Sequence, residues 1–140
     1  MARYFAYGMN MDTAAMAHRC GSPELVCLAQ LEGHRFVINR RGVATVVEDN
    51  DVVHGVLWEL CGEDLDALDV FEGVALGNYR RTTATVVPAR GEPQEAIVYV
   101  ASDPSPGPPR PGYLEAVVDA AMVHGFPEHY VAALRANLSR

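Results

Sequence analysis

From Glu24 to Ala101 the chain offers one short β-prone run after another, and this succession constrains the fold more than any other feature. The runs are Glu24 to Glu32, His34 to Asn39, Val43 to Glu48, Val52 to Leu60, Tyr79 to Val87 and Gln94 to Ala101. Gly33 joins the first two. The tetrad Glu-Asp-Asn-Asp at 48–51 reads as a turn after the third, and Gly91-Glu92-Pro93 as a hairpin turn between the last two. Gly55, inside the fourth, predicts a bulge or a bend. Arg3 to Tyr7 adds a strand at the start of the chain. Short strands in hairpin succession favour a largely antiparallel sheet that closes into a barrel.

Four stretches follow a helical period instead. Asp12 to Cys20 reads as a helix with Asp12 as N-cap. Gly62 to Phe71 places Leu65, Leu68 and Phe71 on one face and stops at Glu72-Gly73, with Gly73 as the C-cap candidate. Tyr113 to His124 carries Leu114, Val117, Val118 and Ala121 on one face, and Pro127 opens a last helix to about Leu138. Between the strands and the last two helices lies Asp-Pro-Ser-Pro-Gly-Pro-Pro-Arg-Pro-Gly, Asp103 to Gly112. Its five prolines in ten residues forbid regular structure, leaving either a stiff connector or the rim of a pocket. The expectation is a mixed α+β fold of six or seven short strands with helices inserted and appended.

The 140 residues suit one domain spanning 1–140. A chain of this size buries roughly two thirds of its unfolded surface, enough for a core with a pocket in it. A net charge of −7 argues against nucleic acid or an anionic membrane surface as partner. No apolar run is long enough to span a bilayer, and the N-terminus lacks the apolar stretch of a signal peptide. Cys20, Cys27 and Cys61 match no zinc spacing, which predicts reduced thiols in a cytoplasmic protein.

Gly-x-Ser-x-Gly, P-loop and Gly-x-Gly-x-x-Gly signatures are all missing. His124 and His129, separated by Pro127, suit surface or capping positions better than a metal site, and a nucleophilic cysteine has no supporting pattern. Two stretches remain. In Tyr7-Gly8-Met9-Asn10-Met11 a strand turns into a helix. Such a junction is either an ordinary tight turn or a loop whose successive N–H groups converge on an anion or oxyanion. In Leu65 to Arg81, Glu72 ends a short helix after Phe71. It is either a solvated glutamate or, against an apolar wall and a helix C-terminus, a carboxyl of raised pKa able to take and return a proton near neutrality. Arg40, Arg41, Arg80, Arg81 and Arg110 are surface cations, any of which would suit a substrate carboxylate.

Taken together the motifs resemble the γ-glutamylcyclotransferase-like family. "YFAYGMNM" is similar to that family's Y-G-S-N-[LM] loop, and "LDVFEGVALGNYRR" to its L-D-x-x-E-G-V…Y segment. "ATVVEDNDVVHGVLWEL" is similar to its strand-turn-strand, and "GYLEAVVDAAMVHGFPEHYVAAL" to its closing helix pair. The resemblance implies a small, mostly antiparallel β-barrel with peripheral helices and a cavity at one side. It also implies cleavage of γ-glutamyl amides to 5-oxoproline and a free amine, without cofactor or metal. Glu72 matches the family's catalytic glutamate. Tyr7, Gly8, Met9, Asn10 and Met11 match its substrate loop, and Tyr79 and Tyr113 its pocket tyrosines. The implied partner is a small γ-glutamyl substrate, with the protein a monomer or homodimer. Met9 departs from the family's serine. That substitution leaves a second possibility, a ligand-binding module on the same scaffold without turnover.

Overall fold

The computed structural model describes residues 1–139. The elements run β1 (Ala2–Ala6), a 3-10 turn (Met9–Met11), α1 (Thr13–Arg19), β2 (Glu24–Ile38), β3 (Ala44–Leu60), α2 (Gly62–Phe71), β4 (Tyr79–Pro88) and β5 (Gln94–Ala101). After the proline-rich stretch come α3 (Tyr113–Val123), α4 (Glu128–Arg135) and a closing 3-10 turn (Ala136–Ser139). The five strands form a closed barrel in the order β1-β3-β2-β4-β5. All neighbours are antiparallel except β1 and β5, whose parallel pairing at Tyr4 and Ile97 shuts the ring.

Seven expected strands are five, because β2 and β3 each fuse two. Gly33 does not turn the chain back. It sits at φ +73 within β2, where the register jumps from Glu32↔Val52 to His34↔Glu48. Residues 49–51 bulge out opposite it, so the turn signal at 48–51 is absorbed in a bulge of β3. Such bulges bend a strand and raise its twist, and a 15-residue and a 17-residue strand need both to wrap a small barrel. Asp49 and Asp51 satisfy the loosened backbone locally, each accepting from the next residue's N–H. Gly55 is not bulged. It pairs in register with Ala29, and a Cβ there would lie 2.4 Å from the Ala6 carbonyl oxygen and 2.5 Å from the Phe5 ring. The glycine lets β1 press against β3.

The core fills the barrel and the seam beneath the helices. Phe5, Leu31, Val53, Val56, Leu57 and Val86 come from strands; Met11, Met16, Leu68, Leu114 and Leu134 come from the helical segments. Asp12 caps α1 as expected, accepting from Ala14 N–H at 2.8 Å and Ala15 N–H at 3.2 Å. The end of α2 is a Schellman motif. Gly73, at φ +66, donates to Val70 O, and Val74 N–H reaches back to Asp69 O at 3.0 Å. This stop fixes Glu72 as the last residue before the chain reverses. Residues 103–112 pack against the β2–β3 turn through Gly107 N–H to Ile38 O and Arg110 N–H to Gly42 O. Among the described residues no helix is long and apolar enough to cross a membrane.

Candidate functional site

A cavity of about 350 Å³ opens at one side of the barrel. The loop after β1, the end of α2, the starts of β3 and β4, the interior face of β5 and the first turn of α3 all meet there. Tyr7, Gly8, Met9, Asn10, Glu72, Tyr79 and Tyr113 line it together, although 62 residues separate Asn10 from Glu72 in the chain.

Glu72 is half-buried and accepts a hydrogen bond. Asn10 Nδ2 donates to its Oε1 at 3.2 Å and to the Tyr4 hydroxyl at 2.9 Å. Asn10 is itself fixed, because Trp58 Nε1 donates to its backbone oxygen at 3.0 Å. Burial pushes the Glu72 carboxyl up to about 7, against the opposing pull of Arg19, of the Asn10 hydrogen bond and of Arg41. The half-buried group thus exchanges its proton near neutrality. Asn10 Oδ1 is buried without a partner. Should the amide turn over, that oxygen would face the protonated carboxyl as an acceptor.

Gly8 has negative φ, so the left-handed region is not what selects it. A Cβ there would lie 3.0 Å from the Tyr113 hydroxyl and 3.3 Å from Ala44 Cβ. The glycine lets the loop approach α3 and β3 closely. Asn10 likewise uses its side chain rather than an unusual φ.

The tyrosines hold one another and the barrel seams. Tyr7 donates to Tyr99 O, and Tyr79 to Ala44 O, each at 2.5 Å. The Tyr113 hydroxyl accepts from Ala44 N–H at 3.1 Å. Tyr99 donates to Asp69 Oδ1 at 2.6 Å, and Arg81 closes on Asp69 Oδ2 at 3.1 Å. Burial raises all these phenols, Tyr113 to about 12, so they stay protonated at neutral pH and serve as hydrogen-bonding walls.

Met11 is the exception among the expected residues. Its side chain is fully buried in the core and does not line the cavity, and its carbonyl takes a 2.7 Å hydrogen bond with His124 Nε2. The expectation for Met11 is corrected accordingly: the loop turns through a 3-10 step that aims Met9 and Met11 in different directions. Of the five arginines singled out, Arg41 and Arg110 line the cavity, whereas Arg40 pairs with Asp103 and Arg81 with Asp69. Sequence reasoning missed Tyr4, Tyr99 and Arg19. Arg19 lies at the end of α1, its guanidinium stacked 3.9 Å over the Phe71 ring and its Nη1 buried without a partner. Its only signal was position, two helical turns beyond the Asp12 cap.

A second, larger cavity of about 710 Å³ lies between α4, the end of β2, the middle of β3 and the segment around Gly107. It contains His54, whose pKa burial lowers, but no convergence of acid, donors and backbone comparable to the first. Among the described residues no three His, Cys, Asp or Glu side chains gather as a metal site would require.

Comparison with known proteins shows what the chain is similar to. The chain is 28% identical to gamma-glutamylcyclotransferase of Homo sapiens over 144 residues, covering 95% of this chain and 77% of the relative. It is 29% identical to the protein of the same name from Bos taurus, covering 91% of this chain and 73% of the relative. A solved structure named gamma-glutamyl cyclotransferase superposes with a TM-score of 0.89 at 28% identity, covering 96% of this chain and 86% of that one. The model of the AIG2-like family matches residues 52–134, the stretch that carries Glu72, Tyr79, Tyr99 and Tyr113, and the chain belongs to that family.

Proposed function

We propose that this protein is a γ-glutamyl cyclotransferase that converts a γ-glutamyl amide to 5-oxoproline and a free amine. The observation that carries the reading is one half-buried carboxyl, Glu72, with a pKa near 7, sharing a cavity with the loop that follows Tyr7. The substrate's α-ammonium gives a proton to the Glu72 carboxylate, and the freed amine attacks the γ-carbonyl carbon. A C–N bond forms, and the tetrahedral oxyanion collapses with breakage of the amide C–N bond. Glu72 returns its proton to the departing nitrogen, and the carboxylate so restored takes the second proton from the ring nitrogen and passes it to the released amine, which leaves as an ammonium. A single group of pKa near 7 suits both transfers. The loop N–H groups and the Tyr113 hydroxyl suit the oxyanion. Ring closure is intramolecular, so the cavity's task is to fold the glutamyl chain and exclude water.

Arg19 is the candidate partner of the substrate α-carboxylate. The α-carboxylate and α-amine share one carbon, Arg19 and Glu72 line the same cavity, Arg19 pulls the Glu72 pKa down, and Arg19 Nη1 has no hydrogen-bond partner. Met9 lines the cavity where the family has serine. The loop N–H is retained whatever the side chain, which supports turnover; the lost hydroxyl supports the second reading, a binding module. Incubation with a panel of γ-glutamyl amides, with 5-oxoproline as readout, decides between them. Turnover that disappears in Glu72→Gln is the expected result. Unchanged turnover in that variant removes Glu72 from the mechanism, and binding without turnover in the unaltered protein favours the module.

A further inference from the structure

The stretch that ends at Glu72 carries a second acid, Asp69, which takes no part in the proposed proton transfers. It lies on the last turn of α2 and does not line the cavity. Asp69 Oδ1 accepts from the Tyr99 hydroxyl at 2.6 Å, and Oδ2 accepts from Arg81 Nη1 at 3.1 Å. Tyr99 and Arg81 are cross-strand partners on β5 and β4. One carboxylate thus fastens the end of α2 to two adjacent strands. The Arg81 and Asp69 side chains are 41% and 26% exposed, and an ion pair so wet holds little by itself. The Tyr99 bond holds more, because its ring is buried and a phenol donating to a carboxylate makes a short, charge-assisted contact.

Two routes lead from Asp69 to Glu72. The first is the backbone. Asp69 O accepts from Val74 N–H at 3.0 Å, and Glu72 N–H donates to Leu68 O at 2.8 Å, so the chain reversal at Glu72 is built on the turn that Asp69 anchors. The second runs through side chains. Tyr4 packs edge-on against Tyr99, with ring centroids 5.6 Å apart, and its hydroxyl shares Asn10 Nδ2 with Glu72 Oε1. The contacts close a ring from Asp69 through Tyr99, Tyr4 and Asn10 to Glu72 and back along α2. At its other end α2 is tied to the segment after α1, where Asp64 accepts from Gly21 N–H and Ser22 N–H. Among the described residues, Asp69 is the polar side chain of α2 that reaches a strand.

Resting on the cyclotransferase reading, we propose that Asp69 is a positioning residue for Glu72, holding the last turn of α2 on β4 and β5 so that the Glu72 carboxyl stays in the buried place where Asn10 meets it. Burial, Arg19, Asn10 and Arg41 set the Glu72 pKa, and the phenols of Tyr4, Tyr7, Tyr79, Tyr99 and Tyr113 face the same carboxyl. The Asp69 charge is not among these influences, so Asp69 acts on Glu72 through placement. A Glu72 carboxyl released towards water loses the burial that holds it up, and its titration falls from about 7 towards 4.5.

The test follows the Glu72 carboxyl by carbon NMR on glutamate-labelled protein, its resonance identified by its loss in Glu72→Gln, alongside kcat and KM. In Asp69→Ala the titration midpoint should fall by about one pH unit or more. There kcat at neutral pH should fall about tenfold or more, with KM within about threefold of the unaltered protein. Tyr99→Phe keeps the Asp69 charge and should move the midpoint the same way, with the double variant going no further than the larger single change. Asp69→Asn loses the charge but keeps an oxygen for the Tyr99 hydroxyl, so its midpoint should lie between those of Asp69→Ala and the unaltered protein. An unmoved midpoint in Tyr99→Phe, or equal midpoints in Asp69→Asn and Asp69→Ala, overturns the inference. So does a rise in KM at unchanged kcat, or a moved midpoint that leaves kcat intact. Tyr99→Phe and Asp69→Asn nearly conserve shape, and a fall of the midpoint in both decides the matter if Asp69→Ala does not fold. If the unaltered protein turns over no γ-glutamyl amide, the cyclotransferase reading fails by itself, and the midpoints alone uphold or overturn the placement of Glu72 by Asp69.

Discussion

Glu72→Gln should stabilise the protein at alkaline pH while removing its activity. The Glu72 carboxyl moves from an ordinary value near 4.5 in the unfolded chain to about 7 in the folded one, chiefly through burial. Between those values the native state holds a proton that the unfolded chain has released. Stability therefore falls as pH rises through that window, and the loss is complete above pH 7. At about 1.4 kcal/mol per pH decade the full difference is roughly 3 kcal/mol. Partial exposure lets water screen some of it, leaving about 2 kcal/mol. Glutamine keeps the oxygen that accepts from Asn10 Nδ2 and never carries the charge. At pH 8 the variant should melt roughly 6 °C above the unaltered protein, given about 3 °C per kcal/mol for a chain of this size. At pH 4 both forms are neutral at this position and the gap should close. Thermal unfolding followed by circular dichroism at pH 4, 6 and 8 measures it. Equal melting at pH 8, or a gap that does not vary with pH, refutes the argument that burial of this carboxyl is uncompensated.

The remaining predictions concern the surroundings of the site. Arg19→Met removes the largest influence that holds the Glu72 pKa down. The acidic limb of the kcat/KM profile should move to higher pH, and a limb that stays or moves lower counts against the role given to Arg19. Gly55→Ala forces a Cβ to 2.4 Å from the Ala6 carbonyl oxygen. It should cost about 3 kcal/mol in urea unfolding, and a loss below about 1 kcal/mol would mean that β1 and β3 can separate without penalty. Asp12→Ala deletes the α1 cap, which accepts two N–H groups. A loss of about 1 kcal/mol is expected in the same assay, and no loss would mean that solvent satisfies those groups as well.

Features set by neighbours in the chain were legible from the sequence. Asp12 before an alanine-rich run and Gly73 after Phe71-Glu72 each satisfy backbone groups within a turn, and both stand where the pattern puts them. The loop after Tyr7 and the glutamate at 72 stood out only through their joint resemblance to a family, since a strand-to-helix junction and a helix-ending glutamate are each common as ordinary structure. What depended on partners far away was not legible. Gly33 and the tetrad at 48–51 have turn composition, but β2 and β3 continue through them because the barrel needs long, coiled strands, and the surplus residues leave the ladder as bulges. Tyr4 and Tyr99 face the cavity only because β1 and β5 meet at the closing seam. Met11, one residue beyond Asn10 in the same motif, points into the core and away from the cavity, since a 3-10 step separates successive side chains widely.

The phenol rings that wall the cavity also fasten one segment of the barrel to the next, Tyr7 to β5 and Tyr79 and Tyr113 to Ala44 at the start of β3. A change to any of them alters the frame as well as the space it encloses, so selection has little freedom there. Among the described residues the side chain of Arg41, which lines the same cavity, makes no hydrogen bond or ion pair and carries no such double duty. Divergence in what this scaffold accepts should accumulate at its doorway, while the inner wall changes slowly because the fold depends on it.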